Sequence, residues 1–202
     1  MQKENVVLMK MARESLKGKW GLAIGTFLVY LIIIAIIQGA GNVYPLSNLI
    51  TLLIAGPFGL GATIFALKLS RNEDARLEQI FHGFNNFGLA LGTYLLVLLF
   101  TFLWTLLLII PGIIAALSYS MAFFIIADNK SIGAMEAIDL SKKMMYGYKW
   151  KLFCMGIRFF LWSLLCILTL GIGFLWLFPY MYVSYAKFYE DIKENQNNII
   201  EE

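Results

Sequence analysis

The chain has 202 residues, of which 60% are hydrophobic and 14% charged, and its formal net charge is +3. Soluble domains average about 45–50% apolar and about 25% charged residues, and a domain of ~150 residues still exposes roughly a third of its unfolded surface. This composition excludes an ordinary soluble domain, a disordered chain and a disulfide scaffold. The net charge is too small to indicate a nucleic-acid partner. We therefore expect an integral membrane protein with no large water-soluble domain.

Six apolar segments predict six transmembrane helices. Five of them contain 18 to 23 residues, which corresponds to about 27–34 Å of helix and matches the hydrocarbon core of a bilayer. The fourth has only 15 residues, so it begins earlier through Pro111, thins the bilayer locally or fails to cross. The six segments are 21–38, 49–67, 88–110, 113–127, 152–170 and 172–189.

The charged residues predict the orientation of the chain. Apart from Arg158, they fall in the N-terminus, around the second and fourth connections, and in the C-terminal tail. The first, third and fifth connections, at 39–48, 111–112 and Gly171, carry no charge. By the positive-inside rule, both termini are then cytoplasmic. A signal peptide cleaved near Ala40 is the less favoured alternative, because about twenty residues precede the first apolar segment.

Internal similarity predicts a repeated unit. Residues 21–28 recur at 88–95 with six of eight positions identical, residues 102–107 recur at 160–165, and Lys19-Trp20 is echoed by Lys149-Trp150. An amphipathic stretch precedes each pair of apolar segments, as expected of helices that lie in the membrane interface. We predict an all-α integral membrane protein whose six transmembrane helices form three hairpin repeats in one domain. The repeats span about 3–69, 74–128 and 131–192, followed by a polar tail at 193–202.

The amphipathic stretches carry local predictions of their own. Ser131 is a plausible N-cap for the third stretch, and Asp139 and Lys143 are spaced for an i,i+4 ion pair. In the second stretch, four residues fall at helical spacing on one predicted apolar face: Leu77, Ile80, Phe81 and Phe84.

Several sequence blocks resemble a known membrane family. They are 12–20 (ARESLKGKW), 91–96 (LGTYLL), 109–113 (IIPGI), 117–121 (LSYSM), 168–173 (LTLGIG) and 188–192 (FYEDI). The match to the bacterial family called domain of unknown function 975 spans nearly the whole chain. The hairpin design is more loosely similar to the membrane domain attached to some glycerophosphodiester phosphodiesterases. The resemblance implies a bacterial plasma-membrane protein with six spans, and it supplies no activity and no catalytic residue.

The chain offers little for catalysis. It contains one histidine, His82, and its apolar segments contain no carboxylate in their cores. Cys154 and Cys166 are twelve residues apart, or ~18 Å along a helix, which is too far for a disulfide. We find no phosphate-binding loop and no spacing typical of a metal site. We therefore predict that the protein is not an enzyme and uses no cofactor.

Two features suggest a binding site instead. Arg158 lies about 12 Å past Trp150, where it snorkels to the headgroups, binds a lipid phosphate, or contacts a partner or solute. Tyr182 and Tyr185 belong to an aromatic cluster in the last segment, which reads either as an interfacial belt or as a stacking site. A basic rim is predicted on the cytoplasmic side by Lys10, Arg13, Lys17, Lys19, Lys142, Lys143, Lys149 and Lys151.

These observations predict a non-enzymatic membrane component that binds anionic lipids or a membrane partner, including a second copy of itself. A carrier for a lipid-like or amphipathic molecule is the alternative. The candidate lipid- or ligand-binding residues are Arg158, Lys142, Lys143, Lys149, Lys151, Tyr182 and Tyr185.

Overall fold

The computed structural model describes residues 3–41, 47–129 and 131–201, and the regular elements within these ranges are all helical. This confirms the all-α class. Most of the predicted first connection lies outside the described residues. The elements are α1 (Asn5–Leu16), α2 (Trp20–Gly41), α3 (Ser47–Ser70), a 3₁₀ segment (Leu77–Asn86), α4 (Phe87–Leu107), α5 (Ile109–Tyr119), α6 (Ala122–Asp128), α7 (Ala134–Met144), α8 (Lys149–Leu168) and α9 (Phe174–Glu201).

Within the described ranges, four helical segments are long and apolar enough to cross a membrane. They are Leu49–Ser70, Leu77–Leu107, Ile109–Asp128 and Lys149–Leu168. A fifth is added if Asn5–Leu16 and Trp20–Ile36, which are bent by 95°, form one span. This supports a multi-pass membrane protein, while the count of six stays a prediction. The final helix α9 is not among the four, since its apolar first half is followed by Lys187, Glu190 and Asp191.

The fourth predicted segment is longer in the structure than its apolar run. Helix α5 begins at Ile109 and carries Pro111 in its first turn, where a missing backbone N–H leaves no intrahelical hydrogen bond unmade. Together, α5 and α6 form a 20-residue segment, so the earlier start through Pro111 is the correct alternative. The predicted turn at 111–112 is wrong, because the helix breaks at Leu108, whose backbone is extended.

Gly112 explains how α4 and α5 approach each other at this turn. A Cβ atom at Gly112 would lie 2.2 Å from Thr105 Oγ1 and 2.8 Å from Thr105 Cα. Only glycine therefore fits this contact without a shift of one helix. The fifth turn forms where predicted, with Leu170 and Gly171 both in the left-handed region. After this turn, α9 continues as one helix through the stretch at 193–201 that the sequence assigned to a polar tail.

Three predictions about the amphipathic stretches are wrong. Helix α7 has Gly133 as its N-cap, and Ser131 instead donates its hydroxyl to Asn129. Asp139 pairs with Lys142 at 3.6 Å rather than with Lys143. The second stretch is a 3₁₀ segment with about three residues per turn, which changes the side chains that share a face. Accordingly, Ile80 is buried while Phe81 is 40% exposed.

Each of the three elements predicted to be amphipathic packs against other helices of the bundle. Helix α1 buries Leu8, Ala12 and Leu16 and packs along α9, where the Tyr180 hydroxyl donates a hydrogen bond to the Met9 carbonyl at 3.3 Å. The 3₁₀ segment packs on α3, and α7 packs on α4 and α5. The apolar side chains of α4 and α8 are instead largely exposed, as expected for surfaces that face lipid.

Candidate functional site

One end of the bundle is held together by a network of ion pairs between α3, α6 and α9. Arg71 follows α3 and places Nη2 2.8 Å from Asp128 Oδ1 and 2.6 Å from Glu190 Oε1. Lys193 forms a further ion pair with Asp128, and the Tyr189 hydroxyl donates to the same carboxylate at 3.2 Å. Burial lowers the pKa of Arg71, but Glu190 and Asp128 outweigh burial and hold that pKa above its ordinary value.

A second network ties α1 and α8 to α9 at the same end. Asp191 is 2% exposed and accepts a hydrogen bond from Lys151 Nζ at 2.9 Å. It also accepts one from the Lys3 backbone N–H at 3.3 Å. Lys151 Nζ lies 5.5 Å from the centre of the Phe188 ring. The structure thus gives Lys151 an intramolecular partner, and this lysine is not free for the lipid headgroup contact that the sequence predicted. We call the end defined by Arg71, Asp128, Lys151 and Asp191 the charged end.

A crevice of about 350 Å³ opens near the start of α8, and Lys142 and Lys149 both line it. Among the described residues, Lys149 makes no hydrogen bond and no ion pair, whereas Lys142 has the weak pair with Asp139. The walls come from α4 and α5 and are mostly apolar. We call this space the Lys149 crevice, and its remaining lining residues are Trp104, Pro111, Ile114, Ala115, Ser118 and Tyr119.

A larger crevice of about 430 Å³ lies between α8 and α9 and is bordered by the bend between α1 and α2. Arg13 of α1 and Trp20 at the start of α2 line the crevice on this side. Arg13 and Tyr180 both line this crevice. Within the part of the chain that the structure describes, Arg13 forms no hydrogen bond or ion pair. We call this space the Arg13 crevice, and its main walls are Trp162, Leu165, Cys166, Trp176, Leu177 and Tyr180.

A third cavity, of about 340 Å³, is more polar and lies beside the 3₁₀ segment. It is lined by Lys68, Arg71 and His82, together with Asn85 and Asn86. The guanidinium of Arg71 is already paired with two carboxylates there.

The remaining predicted residues fall outside these spaces. Lys143 is exposed on α7. Arg158 is exposed on α8, makes no hydrogen bond or ion pair with any described residue, and lines none of the three cavities above. The ring centres of Tyr182 and Phe27 lie 5.1 Å apart in a tilted arrangement, and Tyr185 packs edge-on against Phe159 with ring centres 5.7 Å apart. The two tyrosines therefore contribute to helix packing.

In residues 3–41, 47–129 and 131–201, no group of three His, Cys, Asp or Glu side chains is arranged to hold a metal ion. Cys154 and Cys166 are both free thiols.

A family described as "Protein of unknown function (DUF975)" matches residues 1–113 and 105–196 of the chain. The chain belongs to this family. No curated protein and no solved structure matches this chain. Membership of DUF975 agrees with the resemblance seen in the sequence blocks, whereas the looser similarity to glycerophosphodiester phosphodiesterases gains no support. The family description assigns no activity, so the function of this DUF975 protein has to be argued from its crevices and charges.

Proposed function

We propose that this protein is a non-enzymatic, six-span component of the bacterial plasma membrane that binds anionic lipids through unpaired basic side chains beside its apolar crevices. Both termini lie in the cytoplasm in this proposal. Its basic rim then faces the inner leaflet, whose anionic lipids attract each lysine or arginine near the surface by about 1 kcal/mol.

The observation that carries the proposal is the Lys149 crevice, because it places a cation above an apolar space. A phospholipid has the matching chemistry, with a phosphate for the ammonium group and an acyl chain for the apolar walls. Tyr146 lies three residues before Lys149 and is 84% exposed, and Trp150 directly follows Lys149 and is 73% exposed. Exposed aromatic residues beside a lysine are typical of the boundary between headgroups and hydrocarbon. This depth is where a lipid phosphate would meet Lys149.

The free basic residues support the same proposal. Lys10 and Arg13 are exposed on α1 and Lys17 directly after it, and none of these three side chains forms a hydrogen bond or ion pair with the described residues. A protein partner with acidic side chains would also suit such a surface. The apolar crevice beside the cation favours a lipid, since an acidic surface would leave the crevice empty.

The crevice also bears on the carrier alternative. It runs along α5 from Tyr119 to Pro111, which is eight residues or about 12 Å. The hydrocarbon core is about 30 Å thick, so this length is well short of a path across it. Lipid binding needs no path across the bilayer. Movement of lipid between the leaflets of reconstituted vesicles, slowed by Arg158→Ala, would favour the carrier instead.

Anionic lipid should raise the thermal stability of the purified protein. At a lipid concentration of about 100 times Kd, binding stabilises the folded state by about 2.7 kcal/mol, or roughly 5–10 °C in Tm for a chain of this size. We expect this shift with phosphatidylglycerol but not with phosphatidylcholine in the same detergent. The double variant Lys142→Gln/Lys149→Gln should lose a large part of it.

Lys68→Gln is the matched control, since Lys68 lies on α3 and lines neither the Lys149 crevice nor the Arg13 crevice. Its shift should equal that of the unmodified chain. Equal shifts with the two lipids, or an unchanged shift in the double variant, would contradict the proposal.

A further inference from the structure

The Arg13 crevice has the same organisation as the Lys149 crevice, although it is built from different parts of the chain. Each crevice lies between the two helices of one hairpin and the amphipathic element that precedes another hairpin. In the Lys149 crevice these are α4 and α5 with α7 and the start of α8. In the Arg13 crevice they are α8 and α9 with α1 and the start of α2.

Several of the lining residues occupy matching positions. Trp104 and Trp162 occupy the same place in the recurring segments 102–107 and 160–165, and each lines one crevice. The second helix of each hairpin, α5 or α9, contributes four residues with the same spacing, counting Gly173 directly before α9. These residues are Pro111, Ile114, Ala115 and Ser118 in the Lys149 crevice, and Gly173, Trp176, Leu177 and Tyr180 in the Arg13 crevice.

The residues that precede each hairpin and line its neighbour's crevice also share a spacing. Lys142 and Lys149 are seven residues apart, as are Arg13 and Trp20, although this pairing is shifted by one position from the echo of Lys19-Trp20 at Lys149-Trp150. The Arg13 crevice therefore has one cation at its mouth and an indole where the other crevice has a second lysine. A guanidinium binds phosphate oxygens in a bidentate fashion, which an ammonium group cannot do.

The corresponding place in the first hairpin is filled by protein. There the 3₁₀ segment lies against α3 so closely that a Cβ atom on Gly83 would come within 1.9 Å of the Pro57 carbonyl oxygen. Phe58 of α3 contacts the rings of Phe81 and Phe84 at 5.9 and 5.0 Å. Side chains of the chain itself thus occupy the space that stays open in the second and third hairpins.

We infer that the Arg13 crevice is a second anionic-phospholipid site, in which Arg13 binds the phosphate and the tryptophan-lined walls hold one acyl chain. The inference rests on the proposed function, since it assigns the same ligand class to a further site. A volume of about 430 Å³ lies within the range of roughly 300–1,000 Å³ found for small-molecule pockets. It accommodates a part of a two-chain lipid, so the second chain stays in the bilayer. Arg13 suits the headgroup because its charge has no ion-pair partner among the described residues and faces a largely apolar space.

The tryptophans of the crevice provide the test. A parent variant with Trp104→Phe and Trp150→Phe retains fluorescence from Trp20, Trp162 and Trp176, which all line the Arg13 crevice. In detergent, brominated-chain phosphatidylglycerol should quench this fluorescence at a lower concentration than phosphatidylcholine with the same brominated chains. Adding Arg13→Gln should raise the phosphatidylglycerol concentration for half-quenching by about tenfold, the effect of losing a hydrogen-bonded charge.

Two further variants control for charge and folding. Arg13→Lys keeps the cation and should retain part of the preference for phosphatidylglycerol. Because it changes the same position as Arg13→Gln, it also shows whether a substitution at this position disturbs folding. Lys17→Gln removes a charge from the same helix at a residue that does not line the crevice, and its half-quenching concentration should stay within twofold of the parent.

The outcomes separate this inference from the proposed function. If Arg13→Gln leaves quenching unchanged while phosphatidylglycerol still raises Tm, the second site is wrong and the proposed function stands. If phosphatidylcholine matches phosphatidylglycerol in both measurements, the two proposals fail together. Full reversal of quenching by soluble glycerol phosphate would show that only a headgroup binds, and would also overturn the acyl-chain site.

Discussion

Asp191→Ala is expected to lower the free energy of unfolding by about 3–5 kcal/mol, because the substitution leaves a partly buried lysine without its counter-charge. Asp191 is 2% exposed and the side chain of Lys151 is 15% exposed, so water cannot replace the lost carboxylate at low cost. The pair also joins α8 to α9, and the Lys3 backbone joins α1 to the same carboxylate. For a chain of this length, Tm should fall by roughly 10 °C.

The matched control for this prediction is Glu194→Ala. Glu194 also forms an ion pair with Lys3, at 3.1 Å, but its side chain is 66% exposed. Exposed pairs contribute about 0–1 kcal/mol, so Tm should change by no more than a few degrees. Thermal unfolding of both variants in one detergent, followed by circular dichroism, checks the difference. Similar losses in the two variants would mean that burial of Asp191 does not set the strength of its contacts.

Gly83→Ala is expected to destabilise the protein by about 3 kcal/mol, because its new methyl group has no room. The nearest atoms to a Cβ at this position are the Pro57 carbonyl oxygen at 1.9 Å and the Gly61 nitrogen at 2.9 Å. Both are backbone atoms, so α3 and the 3₁₀ segment must move apart as whole elements. Overpacking usually costs about 1–3 kcal/mol, and the rigid neighbours place this case at the upper end.

Gly88→Ala tests whether that loss reflects the contact or glycine in general. No atom lies within 4 Å of a Cβ built on Gly88, near the start of α4. Alanine favours helix by up to about 1 kcal/mol over glycine, so this variant should be as stable as the unmodified protein or slightly more so. The same unfolding assay serves for both. A Gly83→Ala protein with an unchanged Tm would contradict the close contact between α3 and the 3₁₀ segment.

Composition and apolar periodicity were enough to predict the helical class and most helix positions. Local chain geometry at the turns was harder to predict. Pro111 and Gly112 looked like a turn, yet proline fits the first turn of a helix and Gly112 serves a contact with Thr105. Residues 77–86 pack against α3 as a 3₁₀ segment, and their sequence contains no signal that predicts this form.

The binding role of the candidate site residues stays a prediction. Lys142 and Lys149 were singled out by charge and position, and they do line a crevice. Lys151 was chosen on the same grounds, but it pairs with Asp191, which is forty residues away in sequence. Charge patterning alone cannot distinguish a free lysine from a paired one, because the partner is determined by tertiary packing.

The Arg13 crevice itself was not predicted, although Arg13 belonged to the predicted basic rim. The recurrence of 102–107 at 160–165 already marked Trp104 and Trp162 as equivalent. The bend of 95° between α1 and α2, which brings Arg13 and Trp20 to α8 and α9, has no clear sequence signal apart from Gly18. Gly18 adopts a left-handed conformation that favours glycine, and it lies in the short connection at the bend.

The most direct test of lipid binding at the two crevices is to count the anionic lipids that remain on the protein. Native mass spectrometry of the gently extracted protein, supplied with equal phosphatidylglycerol and phosphatidylcholine, should show two retained phosphatidylglycerol molecules. Arg13→Gln and Lys142→Gln/Lys149→Gln should each retain one, and the triple variant none. Retention of the two lipids in equal amounts, or an unchanged count in the triple variant, would contradict the account.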